Sequence, residues 1–237
     1  MKTTAIIVGA GSSTRMGLSV SKQLIKLNGN ETIVHTLKAF QQTDSINEIV
    51  IVCREQDEKI IKNLAEINGI TKVIGITAGG STRQQSVAKG IDMVSSDTDY
   101  IAIHDGARPL ITPSDINSVI NNAIKYRSSA LGVYVKDTIK IIDENGFIES
   151  TPDRSKLIAI YTPQVFEFAL YKKAMKKADD ENKDYTDDCQ LIESLGEKVY
   201  VTQGSATNIK LTTPDDIIIA ESILNNRGEN YENRTRI

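Results

Sequence analysis

Patterns for buried strands and for amphipathic helices take turns along this chain, and that alternation limits its fold more than any other feature. Apolar, β-branched runs at 5–8, 48–53, 71–74 and 100–103 read as strands, with helical spacing at 31–40, at 55–68 and after Ser81. Within 55–68 the apolar positions are Ile60, Ile61, Leu64 and Ile67, and Gly69 ends the pattern. Such repetition predicts an α/β fold: a Rossmann-like three-layer α/β/α domain with a mostly parallel sheet, covered on both faces, that binds ligands at the carboxyl ends of its strands.

A chain of 237 residues fits one such domain, or one domain with an insertion, and does not require two. Its net charge of −3 gives no sign of a nucleic-acid surface, so anionic ligands must be met by local cations. No apolar run approaches the roughly 20 residues that cross a bilayer. Residues 1–4 lead straight into the first strand, and the expectation is a cytoplasmic protein. Cys53 and Cys189 lie far apart without metal-like spacing and read as reduced packing thiols; with only His35 and His104 besides, a zinc site is not expected.

The first strand ends in Gly9-Ala10-Gly11-Ser12-Ser13-Thr14-Arg15-Met16-Gly17, with Lys22-Gln23 soon after. A glycine loop after a buried strand offers backbone N–H groups to phosphates, and Arg15 and Lys22 add two positive charges beside it. A dinucleotide fingerprint needs a third glycine where Thr14 stands, which argues against a nicotinamide-dependent oxidoreductase. An ordinary strand-to-turn junction with two solvated cations is the alternative.

Gly79-Gly80-Ser81-Thr82-Arg83 precedes a helix with Val87, Ile91 and Val94 on its apolar face and Ser81 as its expected N-cap. A helix start bearing Arg83 and Ser86 suits an anion or a base, or is simply a capped helix with an exposed arginine. At the end of the 100–103 strand stands His104-Asp105-Gly106-Ala107-Arg108-Pro109. There Asp105 suits Mg²⁺ or a sugar hydroxyl and Arg108 a phosphate, unless the two form a structural salt bridge; His104 reads as packing or support.

Thr112-Pro113-Ser114-Asp115 opens a helix to about Tyr126, and 130–135 is another strand. Two short strands, 138–142 and 147–150, then flank Asp143-Glu144-Asn145-Gly146 as a hairpin that interrupts the alternation. So short a hairpin needs something to lie against, and a second subunit is the natural surface. Residues 157–161 return to the sheet, and Thr162-Pro163-Gln164 reads as the start of a helix to about Lys177. Thr186 is the expected cap of the helix carrying Leu191, Ile192 and Leu195, and Asp187-Asp188 its helix-start charge. A sheet-like pair at 198–202 and 208–212 places Lys210 opposite Ile209 and Leu211, and a last helix runs from Thr213-Pro214 to about Leu224. One domain over 1–224 is expected, with an arm at 137–156 and a polar, disordered tail at 225–237.

In this order the motifs are specific. Gly11-x-x-x-Arg15-Met16-Gly17, Lys22-Gln23, Gly79-Gly80-x-x-Arg83-x-x-Ser86-Val87, His104 to Pro109, Asp137-Thr138, Asp153-Arg154, Thr162-Pro163-Gln164, Thr186-Asp187 and Asn208-Ile209-Lys210 together resemble the 2-C-methyl-D-erythritol 4-phosphate cytidylyltransferase family. The resemblance implies CTP and methylerythritol phosphate as substrates, Mg²⁺, and a homodimer interlocked through the β-arm. It implies that Arg15 and Lys22 stabilise the transition state on the triphosphate. It also implies that Arg154 from the neighbouring subunit, Thr138, Lys210, Asp105, Arg108, Thr162 and Thr186 position the sugar phosphate. Ala10, Gly11, Gly79, Gly80, Arg83 and Ser86 would contact the cytidine. Two departures, Ser13 for a glycine and Ser21 for a proline, bear on loop geometry, the second expected to loosen the loop that carries Lys22. A sister enzyme using a pentitol phosphate such as ribitol 5-phosphate shares nearly all the CTP residues, and a non-catalytic nucleotide-binding module is the remaining alternative.

Overall fold

The apolar runs become neighbours in one sheet. The computed structural model describes residues 1–11 and 21–234. From the amino end come β1 (Thr3–Val8), a small hairpin of β2 (Lys26–Leu27) and β3 (Asn30–Glu31), α1 (Thr32–Gln41), β4 (Glu48–Cys53) and α2 (Glu58–Ile67). Then follow β5 (Val73–Ala78), α3 (Arg83–Ile91), β6 (Tyr100–Asp105), α4 (Pro113–Tyr126) and β7 (Ser128–Tyr134). The projecting hairpin is β8 (Ile141–Ile142) and β9 (Ile148–Ser150). The last part holds β10 (Ile158–Glu167), α5 (Phe168–Asp180), α6 (Asp188–Glu193), β11 (Tyr200–Gln203) and α7 (Asp215–Arg234).

Seven strands pair in the order β11-β7-β10-β6-β1-β4-β5. Only β10 runs against its neighbours β6 and β7; the other pairings are parallel. Side chains along each strand alternate between two cores. Ala5 and Ile7 of β1, Ile49 and Ile51 of β4 and Ala102 of β6 pack with α1, α2 and α4, while Ile6, Val52, Ile101 and Ile103 pack with α3, α5 and α6. That period of two, buried on both faces, is the three-layer α/β/α architecture expected from the alternation.

The chain leaves β1 for β4 and β5 on one side and reaches β6 on the other. The switch point of the sheet therefore lies between β1 and β6. Register sets Val8 opposite both Val52 and Asp105, and Cys53 opposite Ala78, so the carboxyl ends of β1, β5 and β6 open on one edge.

Five details depart from the sequence reading. In α2, Ile61, Leu64 and Ala65 are buried, but Ile60 and Ile67 are 49% and 69% exposed, because a helix on a sheet buries a narrower stripe than its apolar spacing offers. Thr162-Pro163-Gln164 lies inside β10 and not at a helix start: Pro163 falls in the register irregularity between Ile160 and Gln164, where a residue lacking an N–H forfeits no ladder bond. Residues 208–212 form no strand, since Leu211 N–H donates to Ala107 O (2.8 Å), which ties them to the loop after β6 instead of to β11. Thr82, not Ser81, caps α3, and Asp187, not Thr186, caps α6.

The fifth concerns the end of the chain, where α7 continues to Arg234, so that residues 225–234 are helical. Ala220 is buried against Leu27, Leu110 and Leu211, with Ile217, Ile223 and Leu224 packed around them, and the Arg227 guanidinium donates to Leu110 O (3.0 Å) and Thr207 Oγ1 (2.9 Å). The Arg227 contacts lie beyond the point where the apolar period fades from the sequence.

Candidate active site

A cleft of about 480 Å³ opens at the carboxyl ends of β1, β5 and β6. Ala10 and Gly11 form one wall from the β1 loop, and Gly80, Arg83 and Ser86 form another from the β5–α3 turn. Asp105 sits on its floor, with Lys22 and Lys210 arriving from segments far apart in sequence. Arg15 lies outside the described residues.

Close backbone packing shapes the two glycine turns. A side chain on Gly79 would collide with the Ala10 methyl and come within 2.8 Å of Ser86 Oγ, so only glycine lets these loops meet. The Ser86 hydroxyl accepts from Gly80 N–H (3.0 Å) and donates to Thr82 O (2.9 Å), fixing the turn as well as facing the cleft. Gly9 N–H donates to Val52 O (2.7 Å) and so serves the sheet, not a ligand, which narrows the expected phosphate cradle to the residues after it.

Lys22 begins a single 3-10 turn, Lys22–Leu24, and its ammonium donates to Leu211 O (3.1 Å). Ser21, expected to loosen this segment, does the opposite. Its φ of −58° is the value a proline imposes, and its hydroxyl accepts from Gln23 N–H. Gln23 is buried behind it, wedged against Gly9 and Gly106.

Asp105 is the charge centre. Its Oδ2 lies 2.7 Å from Lys210 Nζ and 3.7 Å from Arg108 Nε, and its Oδ1 lies 3.5 Å from Arg83 Nε. Burial works against the Asp105 carboxylate, but Lys210, Arg83 and Arg108 outweigh it and hold its carboxyl well below the usual range. The alternative of a salt bridge between Asp105 and Arg108 is thus part of the arrangement, though Lys210 makes the closest contact.

Behind this floor the side chains are buried and fully oriented. Asp105 N–H donates to Thr162 Oγ1 (3.0 Å), whose own proton then points to His104 Nδ1 (3.1 Å), leaving Nε2–H to donate to Arg108 O (3.3 Å). Burial above all pushes His104 down to about 3, so the ring is neutral and supports the loop, as its sequence position suggested. Arg108 donates to Asn208 O (2.9 Å) and lies over the Tyr161 ring at 4.4 Å. Arg108 and Thr162 stand behind Asp105 and do not line the cleft in this chain.

Three expected site residues lie elsewhere. Thr138 and Arg154 are exposed at the base of the hairpin, with Arg154 Nη1 donating to Lys136 O (2.7 Å), and Thr186 is exposed with its hydroxyl donating to Gln190 Oε1. A single chain does not bring them to the cleft.

The acidic pair after Thr186 is more than helix-start charge. Asp188 is buried and pairs with Arg83 Nη1 at 2.6 Å, a partnership across 105 positions that no local pattern reveals.

The fold, cleft and motifs agree with the comparisons. Residues 3–226 match the family model described as IspD, 2-C-methyl-D-erythritol 4-phosphate cytidylyltransferase. The chain belongs to that family. The 2-C-methyl-D-erythritol 4-phosphate cytidylyltransferase of Caldanaerobacter subterraneus subsp. tengcongensis is 45% identical over 94% of this chain and 99% of its own. That of Clostridium novyi is 44% identical over 95% of this chain and 97% of its own. A crystal structure of 4-diphosphocytidyl-2C-methyl-D-erythritol synthase from Anaerococcus prevotii superposes with a TM-score of 0.85 at 32% identity, covering 94% of this chain and 96% of that one. The match to the IspD family leaves the pentitol phosphate alternative unfavoured and confirms the resemblance read from the motifs.

Among the described residues, no cluster of three or more His, Cys, Asp or Glu could cage a metal, and Asp105 is the one carboxylate lining the cleft. That donor set fits Mg²⁺, which keeps several waters and binds through one or two carboxylates together with substrate phosphates.

Proposed function

We propose that this IspD-family chain transfers a cytidylyl group from CTP to 2-C-methyl-D-erythritol 4-phosphate, giving 4-diphosphocytidyl-2-C-methyl-D-erythritol and pyrophosphate in isoprenoid precursor biosynthesis. The observation that carries the proposal is the cleft itself. Cations and tight glycine turns converge on one carboxylate at the sheet's switch point, within a chain 45% identical to an enzyme named for this activity.

The substrate phosphate attacks the α-phosphorus of CTP in line, and pyrophosphate leaves. No side chain need act as nucleophile. The protein's part is to hold two anions together and to neutralise the charge that gathers on the pentavalent centre and the departing group. Lys22 and Arg15 supply that neutralisation on the triphosphate side. Lys210 orients the sugar phosphate, Asp105 holds Lys210 in place with Arg108 supporting that carboxylate from behind, and Arg83, Ser86 and the glycine turns hold the cytidine. Mg²⁺ bound with the triphosphate would supply further charge neutralisation, and Asp105 is the cleft carboxylate that would help to hold it.

Arg154, Thr138 and the hairpin complete the site from a second subunit. Support comes from the hairpin's surface: Ile142, Phe147 and Ile148 are 61%, 72% and 63% exposed, an apolar face suited to a partner copy. Among the described residues no helix is long and apolar enough to cross a membrane, which fits work in the cytoplasm on water-soluble phosphates.

A coupled assay of pyrophosphate release from CTP and Mg²⁺ tests the reading. Release is expected with methylerythritol phosphate and at least 100-fold slower release with ribitol 5-phosphate, a preference of about 2.7 kcal/mol. Equal rates, or none with either acceptor, refute it.

A further inference from the structure

Arg83 is held from both sides. Its Nε lies 3.5 Å from Asp105 Oδ1 in the cleft, and its Nη1 lies 2.6 Å from Asp188 Oδ2 behind the wall. Asp188 does not line the cleft and is only 3% exposed. It is itself fixed: its other oxygen, Oδ1, accepts from the Tyr171 hydroxyl (2.6 Å), and its backbone N–H donates to Gln164 Oε1 (3.1 Å). Tyr171 is fully buried in α5, and Gln164 sits where β10 resumes its ladder after Pro163. The chain from α5 and β10 through Asp188 to Arg83 is hydrogen-bonded at every link.

A buried carboxylate is costly unless its charge is paired, and Asp188 is paired with a residue that faces the cleft. We propose that Asp188, steadied by Tyr171, is a positioning residue for the nucleotide: it anchors the Arg83 guanidinium at the cleft wall and keeps it from collapsing onto Asp105. Without the Asp188 charge, the strongest partner left to Arg83 is Asp105, the carboxylate that also holds Lys210. Arg83 then leaves the nucleotide wall and competes with Lys210. The inference rests on the reading that Arg83 contacts the nucleotide.

The test is a double-mutant cycle on CTP binding, measured by calorimetry, together with steady-state kinetics. Asp188→Asn keeps the size and an acceptor but removes the charge. It is expected to weaken CTP binding and raise KM for CTP about tenfold, the scale of one hydrogen bond to a charged group, with kcat changed less than about threefold. Arg83→Gln is expected to do the same, and the double variant to be no worse than either single within about twofold, because Asp188 acts through Arg83. Tyr171→Phe removes one oxygen and is expected to weaken CTP binding about threefold. Should Asp188→Asn not fold, the cycle of Tyr171→Phe with Arg83→Gln decides in the same way. Multiplying losses in the double variant, or unchanged CTP binding in the folded single variants, overturn the inference. If the unaltered protein does not bind CTP at all, the functional reading falls instead.

Discussion

Lys210 Nζ lies 2.7 Å from Asp105 Oδ2 although 105 positions separate the two residues. Asp105 ends a central strand and Lys210 sits on a segment strapped back over it by the Leu211 to Ala107 and Arg108 to Asn208 hydrogen bonds. One carboxylate thus gathers three cations, Lys210, Arg83 and Arg108, at the mouth of the sheet.

Removing the charge of Asp105 leaves those cations facing one another. Asp105→Asn is expected to destabilise the fold by roughly 3 kcal/mol, at the low end for breaking a buried pair because Lys210 remains partly wet. Denaturant midpoints check this, and a loss below about 1 kcal/mol contradicts the central role of Asp105.

Lys22 reaches the cleft through one short turn capped by Ser21, and its ammonium rests on Leu211 O. Lys22→Ala is expected to lower kcat by about 10² to 10³, the scale for losing one preorganised donor, while CTP affinity changes only a few-fold. Arg15→Ala is expected to behave likewise. Near-normal turnover with weakened CTP binding reverses the assignment.

His104 gives a pH signature. Its folded value, pushed down to about 3 by burial, lies below the 6.5 of an unfolded histidine, so its contribution is full above pH 6.5 and is lost as pH falls toward 3. Between pH 6 and 4.5 stability is expected to fall by up to about 1.4 kcal/mol per pH unit through this ring alone. Asp105, also lowered, adds its own loss only as pH drops through the ordinary carboxylate range and below. His104→Gln is expected to flatten the slope above pH 4.5, measured by denaturation at each pH. Parallel slopes for the two proteins contradict a neutral, buried His104.

The sequence carries the layers of this fold because strands buried on both faces leave apolar, β-branched runs such as Ile6-Ile7-Val8, whose short length and alternation with helical spacing read as strands and not as buried helices. It carries the cleft because glycine pairs and cations recur at strand ends. What it does not carry are partnerships between distant segments. Asp188 looks like helix-start charge until the fold sets Arg83 beside it, and Pro163 looks like a helix start because a proline at a strand irregularity and one at a first helical position share a local signature. The polar residues after Leu224 conceal a helix held by tertiary contacts such as those of Arg227.

Arg154 and Thr138 stand exposed at the hairpin base, away from the cleft of their own chain. On the proposed shared site, mixing the impaired Arg154→Ala and Lys22→Ala proteins is expected to restore some activity, because one composite site of a mixed dimer would keep both residues. Activity after subunit exchange, with heterodimers counted by mass spectrometry, is the measurement. Heterodimers without activity contradict a shared site.

The central claim is that these side chains position and neutralise, leaving the acceptor's own phosphate to attack. The most direct measurement is the stereochemical course at the α-phosphorus, using CTP that carries a single sulfur there in one known configuration. One in-line displacement predicts inversion. Retention would mean two displacements through a covalent cytidylyl-protein intermediate, and would contradict the account.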